Sequence, residues 1–595
     1  MTPESGFYGE WAPGGTRWPQ ALDTERLPAP PSAAGCAWGA AWSSADAQAC
    51  WVNAGHVAIA FHGEVYNQRA LYGELGLEAA APLSQMLCAA WRRWSVQGLQ
   101  RLDGVFVIAV CDGDELLLYR DPSGLRNLYC HAGGRGATSV AFASHLDTLL
   151  RLPDIPRRLA RRSLHEYLRF LDIAAPNTLF EGVRAVEAGQ LLRWSAQGVE
   201  TASRPDQSTS MPTPMPSPAS FAEATDMLEA HLQRSVRTRL AGASRAAAFL
   251  SGGIDSSLLC AIAARQRDDV TAVTVGFDAA PFDETPVAQR IASHLGMAHE
   301  VLRFGREQYL QAFETLARHL EQPMADPATP ATVLVYGHCR SRYDAVLDGM
   351  GADEAVGAMP PRHVRLAAGH ASLIPPPLRR GLTRLLRALP PLAGYTPIVD
   401  FEHPADTMIR WRGFTRPEIA ALCDEPVTFA DTQFYRTFAR FPRRAHFERY
   451  SALLDAMPCE RLSQATLITG APARFPFWEQ PTDRFIRQLR TDFRYLPGQP
   501  KRILRALLAR YVPPAIWDLP KHSFDFPLQA FLAGDDFALV RRHLDRERWQ
   551  AWGVLQPQAV WRLAQQFMAG DRRIVFRVWA LVVLDAWLEA HGELH

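Results

Sequence analysis

Leu250-Ser-Gly-Gly-Ile-Asp-Ser-Ser257 lies between an apolar run, Ala246-Ala-Ala-Phe-Leu250, and a helix-patterned stretch from Ser256 to Gln266. A strand running into a helix leaves the first helical N–H groups unpaired at the positive end of the helix dipole. Two glycines let the backbone approach an anion closely, and the hydroxyls of Ser251, Ser256 and Ser257 add donors. The stretch Leu250, Ser251, Gly252, Gly253, Ile254, Asp255, Ser256 and Ser257 therefore reads as a phosphate cradle. It lacks the lysine of a G-x-x-x-x-G-K-S/T loop and the G-x-G-x-x-G of a dinucleotide fold. Taken alone, a Gly-Gly turn and a capping serine also start many ordinary helices, so the reading needs a second motif.

That motif is Leu347-Asp-Gly-Met-Gly-Ala-Asp-Glu-Ala-Val-Gly357, which follows the apolar run Tyr343-Asp-Ala-Val-Leu347 and again sets glycines beside carboxylates. Carboxylate and phosphate oxygens suit Mg²⁺, so Asp255 and Asp353 are the expected metal ligands. By itself, Asp353-Glu354 would be an ordinary acidic pair at a helix N-terminus. Around the two motifs, Phe221 to Leu240 carries a helical period and Val270-Thr-Ala-Val-Thr-Val275 a second strand pattern. Strands alternating with helices predict a parallel sheet covered on both faces.

The remaining chain divides by composition. Arg204 to Ala219, RPDQSTSMPTPMPSPA, is rich in Pro, Ser and Thr without an aromatic or branched aliphatic residue, and reads as a linker. Before it, short apolar runs at 56–61, 105–110, 115–119 and 139–143 suit strands of a packed sheet, with a helix near 82–94. From about Arg362 onward, Arg, Leu, Trp and Phe recur in long helical patterns.

The 595 residues exceed one core, and 63 basic against 62 acidic side chains leave no bulk field for nucleic acid or an anionic membrane. Nine scattered cysteines form no C-x-x-C pair, which suits a reduced compartment. No secretory pattern opens the chain and no apolar stretch reaches membrane-spanning length. A soluble, cytoplasmic protein with neither nucleic-acid nor membrane partners is expected.

The motifs resemble those of asparagine synthetases. Ser251-Gly-Gly-Ile-Asp-Ser-Ser257 is similar to the pyrophosphate loop of ATP pyrophosphatases, and the 347–357 motif to the second synthetase signature. Phe282-Asp-Glu284 with His299, Gln322-Pro-Met-Ala-Asp-Pro327, Ala473-Arg-Phe-Pro-Phe477 with Glu479, and Leu519-Pro-Lys-His-Ser-Phe524 follow in the family's order. The resemblance implies ATP and Mg²⁺ as cofactors. The cradle would hold the leaving pyrophosphate, with Gly349, Met350 and Gly351 beside it. Val275 and Gly276 would face adenine at the carboxyl edge of the sheet. Lys521 would reach the α-phosphate, making Lys521, Asp255 and Asp353 the expected catalytic set.

The first 203 residues resemble the glutaminase domain of the same synthetases through Phe61-His-Gly-Glu-Val-Tyr-Asn67, Leu102-Asp-Gly-Val-Phe106 and Tyr119-Arg-Asp-Pro-Ser-Gly-Leu-Arg-Asn-Leu-Tyr129. Such a glutaminase attacks with a cysteine directly after the initiator methionine, assisted by its own α-amine. This chain has Thr2 there, and Cys36 is internal. The expected architecture is thus a mixed α/β and α+β multidomain protein. Residues 1–203 would form an N-terminal nucleophile-type (Ntn) αββα sandwich without its nucleophile, and 204–219 a linker. Residues 220–595 would form an adenine nucleotide α-hydrolase-like synthetase domain with a helical C-terminal elaboration.

Without ammonia from glutamine, the attacking amine must be free ammonia or belong to the substrate. β-Lactam synthetases and lasso peptide cyclases are the family's branches with an internal amine. At position 350, asparagine synthetases carry Glu and β-lactam synthetases Tyr, whereas this chain has Met350, which is no base. Pro472 likewise replaces the usual acid two residues before Arg474. Both departures tell against those two activities and leave the lasso branch as the favoured reading, an ATP-dependent macrolactam synthetase acting on an Asp or Glu side chain of a precursor peptide. A leader peptidase and a leader-binding protein are the implied partners. Trp411, Phe414, Phe434, Tyr435, Phe438, Phe441, Arg443 and Arg444 are candidates for a peptide cleft, although core packing explains any one of them better. Alternatives are an ammonia-using or β-lactam-forming ligase, and a nucleotide-gated binding subunit without turnover.

Overall fold

The structure, a computed structural model, describes residues 5–12, 32–34, 37–43, 49–133, 138–152, 154–198, 200–203, 217–276, 284–401, 403–408, 413–429, 432–456, 460–519 and 527–592. Thr2, Cys36, Phe282, Asp283, Trp411, Lys521 and most of 204–219 lie outside the described residues.

The N-terminal apolar runs become strands of two antiparallel six-stranded sheets. The first contains Ser5–Trp11, Ala37–Ser43, Tyr129–Ala132 and Val140–Ala143; the second contains Val57–Val65, Gly104–Asp112, Glu115–Arg120 and Leu191–Trp194. Strand side chains alternate between faces. Ala58 and Ala60 therefore turn inward with Phe7, Trp11, Phe142 and Trp194, where the two sheets meet. Ile59 and Phe61 turn outward, under Met86, Leu87 and Trp91 of the helix Leu83–Trp94. Helices Leu146–Leu150 and Arg161–Phe170 pack against the first sheet, completing an αββα sandwich.

The second body is a five-stranded parallel sheet in the order His299–Arg303, Val270–Gly276, Ala246–Phe249, Ala345–Leu347, Ala473–Arg474. Its central strand is nearly all alanine, which lets helices approach both faces closely. Ala246 and Ala248 share one core with the helices Phe221–Leu240, Ile254–Gln266 and Arg502–Leu508, whereas Ala247 joins the larger core on the opposite face. The C-terminal part is helical and ends in Val575–His591, whose Trp579, Leu584 and Trp587 are fully buried.

That last helix ties the two bodies together. Tyr167 of the sandwich donates to the Ala580 carbonyl at 2.7 Å, and Trp587 Nε1 donates to the Leu320 carbonyl at 2.9 Å. Glu321 accepts from Asn127 at 3.0 Å, the Tyr129 hydroxyl at 2.8 Å and the Leu146 N–H at 2.7 Å. Phe434, Tyr435 and Phe438 are buried, with Phe434 4.8 Å and Tyr435 6.0 Å from the Phe170 ring. These aromatics and the buried Phe414 are core and interdomain contacts, so the peptide-cleft expectation fails for them; Arg443 and Arg444 are exposed.

Glu166, fully buried on Arg161–Phe170, accepts from Asn177 at 2.6 Å and the Ala174 N–H at 3.2 Å, and burial raises its pKa from 4.5 to about 7. A raised folded-state pKa gives stability that is present below pH 4.5 and lost as pH climbs to about 7. Glu166→Gln should therefore leave stability near pH 4.5 unchanged and raise it by up to about 3 kcal/mol at pH 8. Urea midpoints across that range will read the divergence; parallel curves would contradict it.

Candidate active site

The cradle sits where its sequence pattern predicts. The strand Ala246–Phe249 ends, Gly252 takes φ +74°, and the helix Ile254–Gln266 begins after Gly253. A side chain at residue 252 would be strained in that left-handed conformation. The serines shape the turn: Ser256 Oγ accepts from the Ser251 N–H at 3.1 Å, lies 3.0 Å from Ser251 Oγ, and donates to the Gly253 carbonyl at 3.3 Å. Ser257 is buried, and its Oγ has no hydrogen-bond partner.

The second motif closes against the first. A Cβ at Gly349 would come within 3.2 Å of the Ser256 nitrogen and 3.4 Å of Asp255, so the two loops touch through this glycine. Asp348 holds the turn, accepting from the Met350 N–H at 3.0 Å and the Tyr336 hydroxyl at 2.9 Å; burial raises its pKa. Gly351, at φ +93°, lies against Trp478, where a Cβ would meet the indole at 2.8 Å. The helix Ala352–Val356 then presents Asp353 and Glu354.

Both motifs line one cavity of about 780 Å³. Leu250, Ser251, Gly253, Asp255, Ser256, Val275, Gly349, Met350, Gly351 and Asp353 all border it. Gly252, Ile254, Ser257 and Gly276 do not border it; they support the turn and the strand end from behind. Of the intermediate motifs, Glu284, Asp326 and Pro327 also reach the cavity, whereas Gln322 faces the sandwich, accepting from the Leu179 N–H at 2.7 Å. His299 is held behind the sheet edge by Thr274 at 2.8 Å and Gln289 at 2.9 Å. The wall away from the cradle is largely apolar, with Ala331, Val335, Leu462, Val575 and Phe576. Met350 completes that wall, its sulfur 3.9 Å from an Arg461 nitrogen. Arg461 also faces Asp326 at 3.6 Å.

One residue of the site escaped the sequence reading. Lys501 pairs with Asp255 and with Asp353, the latter at 2.7 Å, and its side chain is 11 % exposed. Burial pushes its pKa down, but the two carboxylates more than offset this and hold it protonated. It sits at φ 56°, in left-handed backbone that costs a non-glycine residue about 1–2 kcal/mol. A signal was available in the composition: the chain has only two lysines, Lys501 and Lys521, against 61 arginines. A compact ammonium fits between two carboxylates, where a planar guanidinium has a different shape and reach.

Asp255 and Asp353 thus converge on a single cationic atom, and Glu354 Oε2 is buried nearby without a hydrogen-bond partner. Two carboxylates on one ammonium, with a third whose pKa burial raises to about 7, form an oxygen-rich donor set that fits a hard divalent cation.

In the sandwich, His62 stands where the family motif has Asn. It lies 3.0 Å from Ser5 Oγ, and its ring is 5.3 Å from that of His145. Burial and the nearby Arg126 push both imidazole pKa values down, that of His145 to about 3. The other motif residues serve the domain seam. Arg239 of the synthetase body lies 3.5 Å from Asp103 and 4.7 Å over the Tyr66 ring, and Arg474 faces Glu64 at 3.8 Å.

Fold and site together define a two-domain, nucleotide-dependent ligase. The asparagine synthase family model matches residues 227–589, and the chain belongs to that family; a glutamine amidotransferase domain model matches residues 41–204. A putative glutamine-hydrolyzing asparagine synthetase of Mycobacterium tuberculosis is 25 % identical over 89 % of this chain and 84 % of its own length. Asparagine synthetase 1 of Bacillus subtilis is 22 % identical over 89 % and 85 %. Among solved structures, a glutamine phosphoribosylpyrophosphate amidotransferase of B. subtilis aligns at 15 % identity with a TM-score of 0.23, over 50 % of this chain and 59 % of that one. The reaction class is ATP-dependent amidation of the asparagine synthetase type.

Lys501→Met should lower ATP-dependent pyrophosphate release by at least about 100-fold, the scale seen when one preorganised transition-state donor is removed. Lys501→Arg should not restore it. Steady-state pyrophosphate assays alongside a circular dichroism melt separate lost chemistry from lost fold; near-normal turnover in either variant would remove Lys501 from the site.

Proposed function

We propose that the protein is a macrolactam synthetase of the lasso peptide type, adenylating an Asp or Glu side chain of a peptide and joining it to the peptide's own N-terminal amine. The carrying observation is the character of the cavity. Its phosphate end has a glycine-serine cradle with the Asp255–Lys501–Asp353 cluster. The rest of its lining is largely apolar, with the Arg461–Asp326 pair beside a thioether at position 350, where the better-known family members present Glu or Tyr. Such a lining suits packed peptide side chains more than a small charged amino acid.

In this reading, a carboxylate oxygen of the peptide attacks the α-phosphorus of ATP, and the bond to the β,γ-phosphates breaks. The cradle N–H groups and Lys501 stabilise charge on the departing pyrophosphate, and Lys521 is assigned to the α-phosphate. Mg²⁺, held by Asp255 and Asp353, would neutralise phosphate charge. The N-terminal amine then attacks the acyl carbon, AMP leaves with the bonding electrons, and the amine's proton passes to a phosphate oxygen of the departing AMP. Met350 accepts no proton, so its part is to pack against the bound chain and exclude water. The sandwich is a structural partner without glutaminase turnover, since residue 2 is threonine and His62 fills the position of the motif asparagine. The precursor peptide, a leader peptidase and a leader-binding protein complete the proposed cytoplasmic system.

Incubation of the full chain with ATP, Mg²⁺ and core peptides bearing Asp or Glu should release AMP and pyrophosphate and yield a product lighter by one water, read by mass spectrometry. Asp255→Ala should abolish both signals. Turnover with aspartate and ammonia but no peptide would keep the ligase and overturn the macrolactam reading; glutamate formed from glutamine would overturn the silent sandwich.

A further inference from the structure

Seven large apolar side chains stand exposed among the described residues, and six of them fall in one short stretch from Leu373 to Tyr395. The seventh is Leu519. Exposed large apolar side chains grouped in one segment call for an explanation that scattered ones do not. The stretch is centred on the helix Pro376–Ala388, whose orientation is the reverse of an ordinary surface helix. Arg379 and Thr383 face inward and are buried; the Arg379 guanidinium lies 3.9 Å over the Phe401 ring and donates to the Phe401 carbonyl at 2.9 Å. Leu378 and Leu385 face outward, 65 % and 56 % exposed.

The spacing narrows the choice of occupant. On the helix itself Leu378, Leu382 and Leu385 recur at intervals of four and three, the spacing of a seam that packs on another helix, and the exposed Leu389 and Leu392 carry the apolar surface past its end at Ala388. Helices lying in a membrane interface present a broader apolar arc, often with Trp or Phe, and this stretch has neither aromatic. Charge narrows it again. From Ala355 to Val399 the sequence holds six arginines and no Asp or Glu, although the whole chain is balanced. Arg362, Arg365, Arg380 and Arg384 are exposed. A second copy of this chain would set arginines against arginines, so self-pairing is disfavoured.

We propose that this leucine stripe is a docking face for a partner protein presenting an amphipathic helix with a leucine or isoleucine seam and acidic flanks. The leucines supply the contact area, and the arginines steer and orient an acidic partner. This surface is independent of the nucleotide cavity, so the inference stands whichever amide the enzyme makes.

The test uses the full chain and a fluorescein-labelled synthetic peptide of about four heptads, with Leu at the seam and Glu at the flanks. Fluorescence anisotropy should show saturable, salt-sensitive binding. Leu378→Ser/Leu385→Ser should weaken it at least about tenfold. Arg380→Glu/Arg384→Glu should weaken the Glu peptide and favour a Lys-flanked version. Melting curves should match wild type, since these side chains are exposed. The proposal is overturned if wild type fails to bind the Glu peptide or if the leucine variant binds equally well. It is also overturned if only phosphatidylglycerol vesicles capture the protein, or if sedimentation shows dimers that the leucine changes dissolve.

Discussion

Two carboxylates and one ammonium, from segments roughly 100 and 150 residues apart in the chain, hold the nucleotide site together. Asp255 opens the cradle helix, Asp353 opens the helix after the second glycine turn, and Lys501 precedes a third helix that packs on the same face of the sheet. Each is a weak feature alone, and unneutralised acids so close would push the two loops apart. With Lys501 between them, Gly349 can rest against Asp255 and Ser256, and the cavity takes its shape. The left-handed backbone at Lys501 is the local cost of this arrangement.

The same reasoning accounts for the sandwich. Glu64, Tyr66 and Asp103 belong to motifs of a glutaminase, yet here they meet Arg239 and Arg474, and Arg239 is almost completely buried. Removing one partner of a buried ion pair leaves the other charge stranded, typically at a cost of about 3–5 kcal/mol. Arg474 belongs to the edge strand Ala473–Arg474, which pairs with Ala345–Leu347, and Leu347 leads directly into the second motif. The seam is therefore mechanically continuous with the active site. The synthetase sheet uses these motif residues as a wall, a structural role that holds whatever chemistry the sandwich performs.

What the sequence disclosed followed from periodicity and local turn chemistry. The helix Phe221–Leu240, the strand–cradle–helix unit and the alternation of strands with helices were all legible, since each is set by residues near one another in the chain. The pairing of Asp255 with Asp353 was legible for a different reason: both lie at the same end of parallel strands. Lys501 was not, because no local pattern distinguishes a lysine at a helix start from a solvated one, and only tertiary packing brings it to the acids. The aromatics at 414, 434, 435 and 438 misled in the opposite direction. Aromatic richness serves a cleft and a core equally well, and only burial separates the two.

The proposed reaction has two steps with different needs, and position 350 bears on the second. Adenylation depends on phosphate geometry, and every cradle element that touches phosphate in this reading is in place. In the proposed reaction the amine-transfer step depends on what borders the acyl carbon, and the cavity that would hold it is lined by Met350, Leu462, Val335 and Phe576 together with the Arg461–Asp326 pair. Hydrocarbon and sulfur do not select an amine by hydrogen bonding; they select by shape. A nucleophile tethered to the same molecule as the carboxylate arrives at high effective concentration once the chain is folded into position. An intramolecular amine therefore depends least on a polar pocket of its own, and a free amine such as ammonia depends on one most.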